Sequence, residues 1–296
     1  MGMNRKGIIL AGGTGTRLHP STIAVSKQLM PVYDKPMIYY PLTVLMQAGI
    51  REILIITTAH DQGAFQKLLQ DGTQWGLSLS YEIQPKPDGI AQALLIAENF
   101  LEGGPSALIL GDNLFFGQGF DDTVRSSIGR SCPKTGGATI FGYQVKNPSS
   151  YGVIGFDENK KVTSLEEKPP KPASQYAITG LYFYDGQASE FAREIIPSAR
   201  GELEITSLNQ IYLAKGLLDV ELLKADTTWL DTGTHNSLFQ AAQFVNVIQE
   251  RQGRRICCPE IVAYQNKWID KAQLLALAMT LAQNPYGEYL TQIAEY

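Results

Sequence analysis

Gly7-Ile8-Ile9-Leu10-Ala11-Gly12-Gly13-Thr14-Gly15-Thr16-Arg17-Leu18 runs from an apolar segment of strand length straight into a glycine-rich loop. Residues 7–11 predict a buried strand, and the glycines behind it let backbone N–H groups approach and cradle phosphate oxygens. Read alone, the loop is also compatible with a tight turn that holds nothing. Two familiar phosphate loops are excluded by reading on. A dinucleotide-binding loop needs a third glycine opening a helix, where Arg17-Leu18-His19-Pro20 stands, and a P-loop needs Gly-Lys-Ser or Gly-Lys-Thr, which is absent.

Outward from this stretch, apolar runs of strand length alternate with segments of helical period. Residues 37–47 predict a helix stopped at Gly49, 51–57 a β-branched strand, and Asp61 the cap of the next helix. Strands follow at 78–83, 106–110 and 138–145, with helices at 90–100 and 120–127 between them. Hairpin-like punctuation then marks strands at 151–156, 162–167 and 177–184, followed by helices at 186–195 and 205–214, a strand at 220–223 and a long helix at 236–252. The pattern predicts an α/β fold: a mostly parallel sheet flanked by helices, a β-rich portion, and a small C-terminal helical appendage. The expected division is a core of residues 1–235 and a helical region of residues 236–296.

Composition narrows the class. With 44% hydrophobic and 18% charged residues the 296-residue chain is globular rather than disordered. Its net charge of -4 offers no general attraction to nucleic acid or to an anionic membrane, so phosphate recognition must come from a few placed cations. The start lacks a signal-peptide core and no apolar run is long enough to span a bilayer, which predicts a cytoplasmic protein. Cys132, Cys257 and Cys258 form neither a disulfide framework nor a spaced zinc site and read as packing residues; His19, His60 and His235 stand alone.

The unusual polar sequences fall just after predicted strands, where ligands bind in an open α/β sheet. Arg17, inside the glycine loop, has a fork that fits a phosphate bidentately, and Lys27 in Ser26-Lys27-Gln28 adds a second cation. Asp112 ends a buried strand in Gly111-Asp112-Asn113, and Asp231 lies in the glycine-bearing turn Trp229-Leu230-Asp231-Thr232-Gly233-Thr234. Separately each aspartate reads equally well as a turn or cap residue; together they suit a magnesium ion with few protein ligands, completed by substrate phosphates. In Glu167-Lys168-Pro169 the carboxylate can accept from sugar hydroxyls while the ammonium holds a sugar phosphate, though alone the pair reads as a solvated turn. Gln84 and Gly89 offer an amide and an approachable backbone to a pyrimidine edge.

These segments, in this order through nearly the whole chain, resemble the sugar nucleotidyltransferases, most narrowly those that use dTTP. The resemblance implies a Rossmann-like nucleotide-binding core with a sugar-binding part. It implies that dTTP and glucose 1-phosphate become dTDP-glucose and pyrophosphate by a magnesium-dependent in-line displacement, at the head of dTDP-L-rhamnose biosynthesis. By match to the family motifs, Leu10, Gly12, Gly13, Thr14, Gly15 and Thr16 with Arg17 hold the triphosphate, Lys27 the phosphates, and Gln84 and Gly89 the thymine. Gly152, Glu167, Lys168 and Ile178 line the sugar phosphate pocket, Asp112 and Asp231 hold Mg2+, and Arg17, Lys27 and Lys168 are the catalytic cations. A homotetramer is implied, with feedback by dTDP-rhamnose at a second site near Cys258-Pro259-Glu260. Uridylyl transfer from UTP, a nicotinamide oxidoreductase and a noncatalytic sugar-nucleotide sensor are the competing readings; the absent third glycine counts against the oxidoreductase.

Overall fold

The computed structural model describes residues 4–128 and 136–295; Cys132 lies outside them. In chain order the first half contains β1 (Lys6–Ala11), the ribbon strands β2 (Pro31–Val32) and β3 (Lys35–Pro36), α1 (Tyr39–Gln47), β4 (Glu52–Thr57), α2 (Gln62–Leu69), β5 (Ser78–Ile83), α3 (Gln92–Ile96), α4 (Glu98–Leu101), β6 (Ser106–Leu110), β7 (Asn113–Gly117) and α5 (Phe120–Ile128). The second half adds β8 (Ala138–Gln144), β9 (Gly152–Phe156), β10 (Val162–Glu167), β11 (Tyr176–Tyr184), α6 (Ala188–Arg193), α7 (Ile205–Ala214), β12 (Leu218–Leu222), β13 (Thr227–Asp231), α8 (His235–Gln252), α9 (Pro259–Gln265), α10 (Lys271–Thr280) and α11 (Pro285–Glu295).

β1 lies at the centre of the parallel half, parallel to β4 on one side and to β6 on the other, with β5 parallel beyond β4. Its unalternating apolar sequence follows from this placement, because a parallel strand is covered on both faces. Ile9 and Ala11 enter one core cluster with side chains of α1, α2 and α5, and Ile8 enters the opposite cluster with those of α3, α6 and α7. β11 continues the sheet antiparallel to β6, carries β8 on its other edge, and meets the β9–β10 hairpin near Ala177. The parallel and antiparallel halves therefore share one sheet.

Three local outcomes differ from the sequence reading. The helix expected over 90–100 is two short helices that meet at Ala97, whose ψ of -2° departs from helical values. Asp61 stands before α2, but its carboxylate accepts from the Thr58 hydroxyl (2.7 Å) rather than from a helix N–H. The third is the antiparallel ribbon β7–β13, which pairs Asp231 with Asn113. Neither strand was expected, and their pairing determines the site.

α8 starts directly after β13 with a reciprocal cap: Ser237 N–H donates to Thr234 Oγ1, and Thr234 N–H donates to Ser237 Oγ. Beyond it, α9, α10 and α11 bury Ile261, Leu274 and Leu290 in the same cluster as Ile9, together with Cys258. The C-terminal helices are thus packed on the parallel half.

Candidate active site

The carboxyl ends of the central strands open into a cleft with two connected chambers. The larger, about 350 Å³, is lined by Leu10, Gly13, Gly15, Thr16, Arg17, Lys27, Gln84, Gly89, Asp112, Glu167 and Lys168 among others. The smaller, about 190 Å³, adds Gly152, Ile178 and Asp231 and shares Arg17, Asp112, Glu167 and Lys168 with the first. Chain segments more than 200 residues apart thus meet at one junction. Of the sequence candidates, Thr14 is exposed on the loop and lines neither chamber, and Gly12 sits behind the lining.

The glycine loop follows from β1. Gly15 has a φ of +63°, a value L side chains rarely adopt, and its carbonyl accepts from Thr22 Oγ1 (2.7 Å). Among the described residues, no N–H of Gly13, Thr14 or Gly15 donates to another main-chain carbonyl, so these donors remain available to an anion at the cleft. A Cβ on Gly12 would run into the Gln84 amide, so the glycine lets that side chain lie close behind the loop.

Two carboxylates meet at the junction because the β7–β13 ribbon forces them together. Thr232 fixes the turn by donating both its N–H (3.3 Å) and its hydroxyl (2.9 Å) to the Asp112 carbonyl. Asn113 is the hub: it donates from Nδ2 to Asp112 Oδ1 (3.0 Å), while its Oδ1 accepts from Gly180 N–H (3.1 Å) and Trp229 Nε1 (2.6 Å). Burial lifts the Asp231 carboxyl above the usual carboxylate range, and the charge of Asp112 adds to that lift against the pull of Lys27 and Arg17. Burial also raises Asp112, but the charge and hydrogen bond of Lys27, with the Asn113 amide, hold it below that range. Two hard carboxylate donors in enforced proximity fit a small divalent cation. Among the described residues, no group of three or more His, Cys, Asp or Glu gathers, so the fitting metal is one that takes few protein ligands and the rest from phosphates.

Arg17 lies against the Cα of Gly233, where a Cβ would approach its guanidinium to 2.9 Å, and beside Asp231. Across the junction Glu167 Oε2 accepts from Thr206 Oγ1 (2.6 Å), and Oε1 lies 3.4 Å from both Lys168 Nζ and Arg200 NH2. Lys168 has a φ of +45°, and its N–H donates to the Tyr151 carbonyl (3.0 Å), which turns the residue after β10 toward the cleft.

At the other end Gln84 is nearly buried and donates from Nε2 to Gln92 Oε1 (2.7 Å) and more weakly to the Gly89 carbonyl (3.4 Å). Gly89 has a packing reason of its own: its φ is +107°, and a Cβ there would stand 2.4 Å from the Leu203 carbonyl oxygen. The loops 88–91 and 198–204 are also joined by Leu203 N–H to Asp88 O (2.7 Å) and Ala91 N–H to Leu203 O (3.1 Å). Gly89→Ala is therefore expected to lose roughly 1–3 kcal/mol of stability from backbone conformation alone, measured by urea unfolding. An unchanged midpoint would show that the loops part at no cost.

Sequence reading missed Gln28, Arg200, Glu202 and Glu204 in the larger chamber, and Tyr151, Thr206 and Trp229 in the smaller. Gln28 and Trp229 stood inside quoted motifs and Tyr151 beside Gly152, whereas Arg200, Glu202, Glu204 and Thr206 carried no such signal.

The nucleotidyl transferase family model matches residues 6–247. A glucose-1-phosphate thymidylyltransferase of Xanthomonas campestris pv. campestris is 58% identical over 98% of this chain and 97% of its own length. A relative of the same name from Neisseria meningitidis is 54% identical over 97% and 99%. A third, from Mycobacterium tuberculosis, is 52% identical over 98% and 99%. Among solved structures, a Bacillus anthracis protein titled as a glucose-1-phosphate thymidylyltransferase in complex with a sucrose superposes with a TM-score of 0.74 at 40% identity, covering 81% of this chain and 94% of that one. A UDP-glucose pyrophosphorylase complexed with UDP-glucose shares the fold, with a TM-score of 0.73 at 22% identity, covering 84% of this chain and all of that one. With the family model spanning most of the sequence and relatives more than half identical over nearly all of it, this chain belongs to the nucleotidyl transferase family.

Proposed function

We propose that this chain transfers the thymidylyl group of dTTP to glucose 1-phosphate, forming dTDP-glucose and releasing pyrophosphate. The observation that carries the reading is the junction, where Arg17, Lys27 and Lys168 converge with Asp112 and Asp231 between a chamber sized for a nucleotide and one lined by hydroxyl-binding groups. Relatives that bear this activity in their names, at 52–58% identity, support it.

A phosphate oxygen of the sugar phosphate, held from the smaller chamber, attacks the α-phosphorus of dTTP as the bond to pyrophosphate breaks on the opposite side. Bringing two anions into line is the barrier, so the protein's part is position and positive charge. Lys168 holds the attacking phosphate, Lys27 leaves Asp112 to hold the α-phosphoryl, and Arg17 with the free loop amides meets the charge that grows on the leaving pyrophosphate. Magnesium held by Asp112 and Asp231 would neutralise phosphate charge when bound. Glu167, oriented by Thr206, receives sugar hydroxyls. Gln84 with Gly89 faces the thymine. The same reading includes a homotetramer, for which exposed Phe239, Val247 and Met279 on the C-terminal helices provide apolar surface, and feedback by dTDP-rhamnose at that region. It also includes a cytoplasmic setting, suited to the free thiols of Cys257 and Cys258.

dTTP carrying a chiral α-thiophosphate, incubated with glucose 1-phosphate and magnesium, is expected to give the α-thio analogue of dTDP-glucose with inverted configuration at the sulfur-bearing phosphorus. Retention would mean a covalent intermediate, and no nucleotide sugar at all would remove the proposed reaction.

A further inference from the structure

Lys27 is carried on a segment that folds back on itself. Met30 N–H donates to the Lys27 carbonyl (3.0 Å), Met37 N–H to Met30 O (2.9 Å), and Ile38 N–H to Gln28 O (2.9 Å), so the β2–β3 ribbon grows from the same root as Lys27. The ribbon's far end is Asp34-Lys35, and that end is gripped from the C-terminal side. Gln249 Nε2 donates to Asp34 Oδ2 (3.0 Å), while Gln249 Oε1 accepts from Lys35 Nζ (3.3 Å) and from Ile256 N–H (3.0 Å). Arg255 donates to the same Asp34 Oδ2, and its guanidinium lies 5.5 Å from the Tyr286 ring centroid. Lys35, only 3% exposed, pairs with Asp34 and lies 5.2 Å from the Tyr40 ring.

Burying two cations and a carboxylate is a poor way to gain stability, since apolar side chains would fill the space at lower desolvation cost. A polar grip of this kind does fix one register, because each hydrogen bond has a single geometry. Gln249 and Arg255 both lie beyond residue 247, where the family match ends.

We propose that Gln249 and Arg255 are positioning residues that hold the Asp34-Lys35 end of the ribbon and thereby place Lys27 for the phosphates. The proposal rests on the cleft being a phosphate-binding site. It makes the C-terminal helices part of the catalytic geometry, acting through the segment that carries Lys27.

The test is a double-mutant cycle on dTTP affinity, measured by equilibrium binding in magnesium without sugar phosphate, with melting curves checking that each variant is folded. Arg255→Gln is expected to weaken binding about tenfold in the wild-type background and less than about twofold in Lys27→Ala, with Arg255→Lys recovering most of the loss. Gln249→Leu is read in the same way and decides the matter if Arg255→Gln does not fold. Equal losses in both backgrounds, or no loss in either, overturn the proposal. Wild-type protein that does not bind dTTP overturns it together with the reading of the cleft, and this is seen before any variant is compared.

Discussion

Asp231→Asn is expected to reduce pyrophosphate release by about a thousandfold while leaving the melting temperature unchanged or higher. The two outcomes have one cause. Burial and the neighbouring charge of Asp112 both work against an ionised carboxylate at 231, so the neutral amide relieves repulsion in the free protein. The same substitution removes one of the two carboxylates proposed to hold the metal, and losing several kcal/mol of charge stabilisation in the transition state corresponds to about three decades in rate. Asp112→Asn differs in sign on stability. Lys27 donates to Asp112 Oδ2 at a site where both side chains are largely buried, so removing the carboxylate strands an ammonium and costs about 3 kcal/mol. Thermal melting and turnover of the two variants, compared side by side, check the pair. Equal destabilisation by both would mean that Asp231 has a structural partner that this account omits.

Arg17→Ala is expected to lose about 2.7–4 kcal/mol of transition-state stabilisation, by analogy with a deleted oxyanion donor, or about 10²–10³ in turnover. Little folding energy is at stake, because Arg17 is exposed on the loop and rests on a glycine rather than in the core. Arg17→Lys keeps the charge but not the fork, and is expected to recover only part of the loss if the guanidinium meets two phosphate oxygens at once. Full recovery with lysine would assign Arg17 a role as a simple counter-charge. Wild-type turnover in Arg17→Ala would remove it from the mechanism.

Much of the parallel half was legible in the sequence because β1, β4 and β6 are buried on both faces, which leaves unbroken apolar runs such as residues 7–11 and 53–56. The glycine loop was legible because the left-handed backbone at Gly15 favours glycine. The β7–β13 ribbon was not. Asn113-Leu114-Phe115-Phe116-Gly117 follows so soon after the end of β6 and Asp112 that it reads as a loop, and Thr227–Asp231 was absorbed into a turn motif. Yet their register is what sets Asp231 beside Asp112. A pairing between segments more than a hundred residues apart leaves no local trace. The side chains of the 198–204 loop were invisible for the same reason: Arg200 and Glu204 reach the cleft only because Leu203 is bonded across to Asp88 and Ala91.

Pyrophosphate release is to be measured on the purified protein with glucose 1-phosphate and dTTP, UTP, ATP, CTP or GTP in turn, with magnesium or with chelator. Release is expected to need magnesium and to be fastest with dTTP; UTP, short of one methyl group worth roughly 1–3 kcal/mol, comes second. Release from none of the five, or release undiminished by chelator, would contradict the proposed reaction.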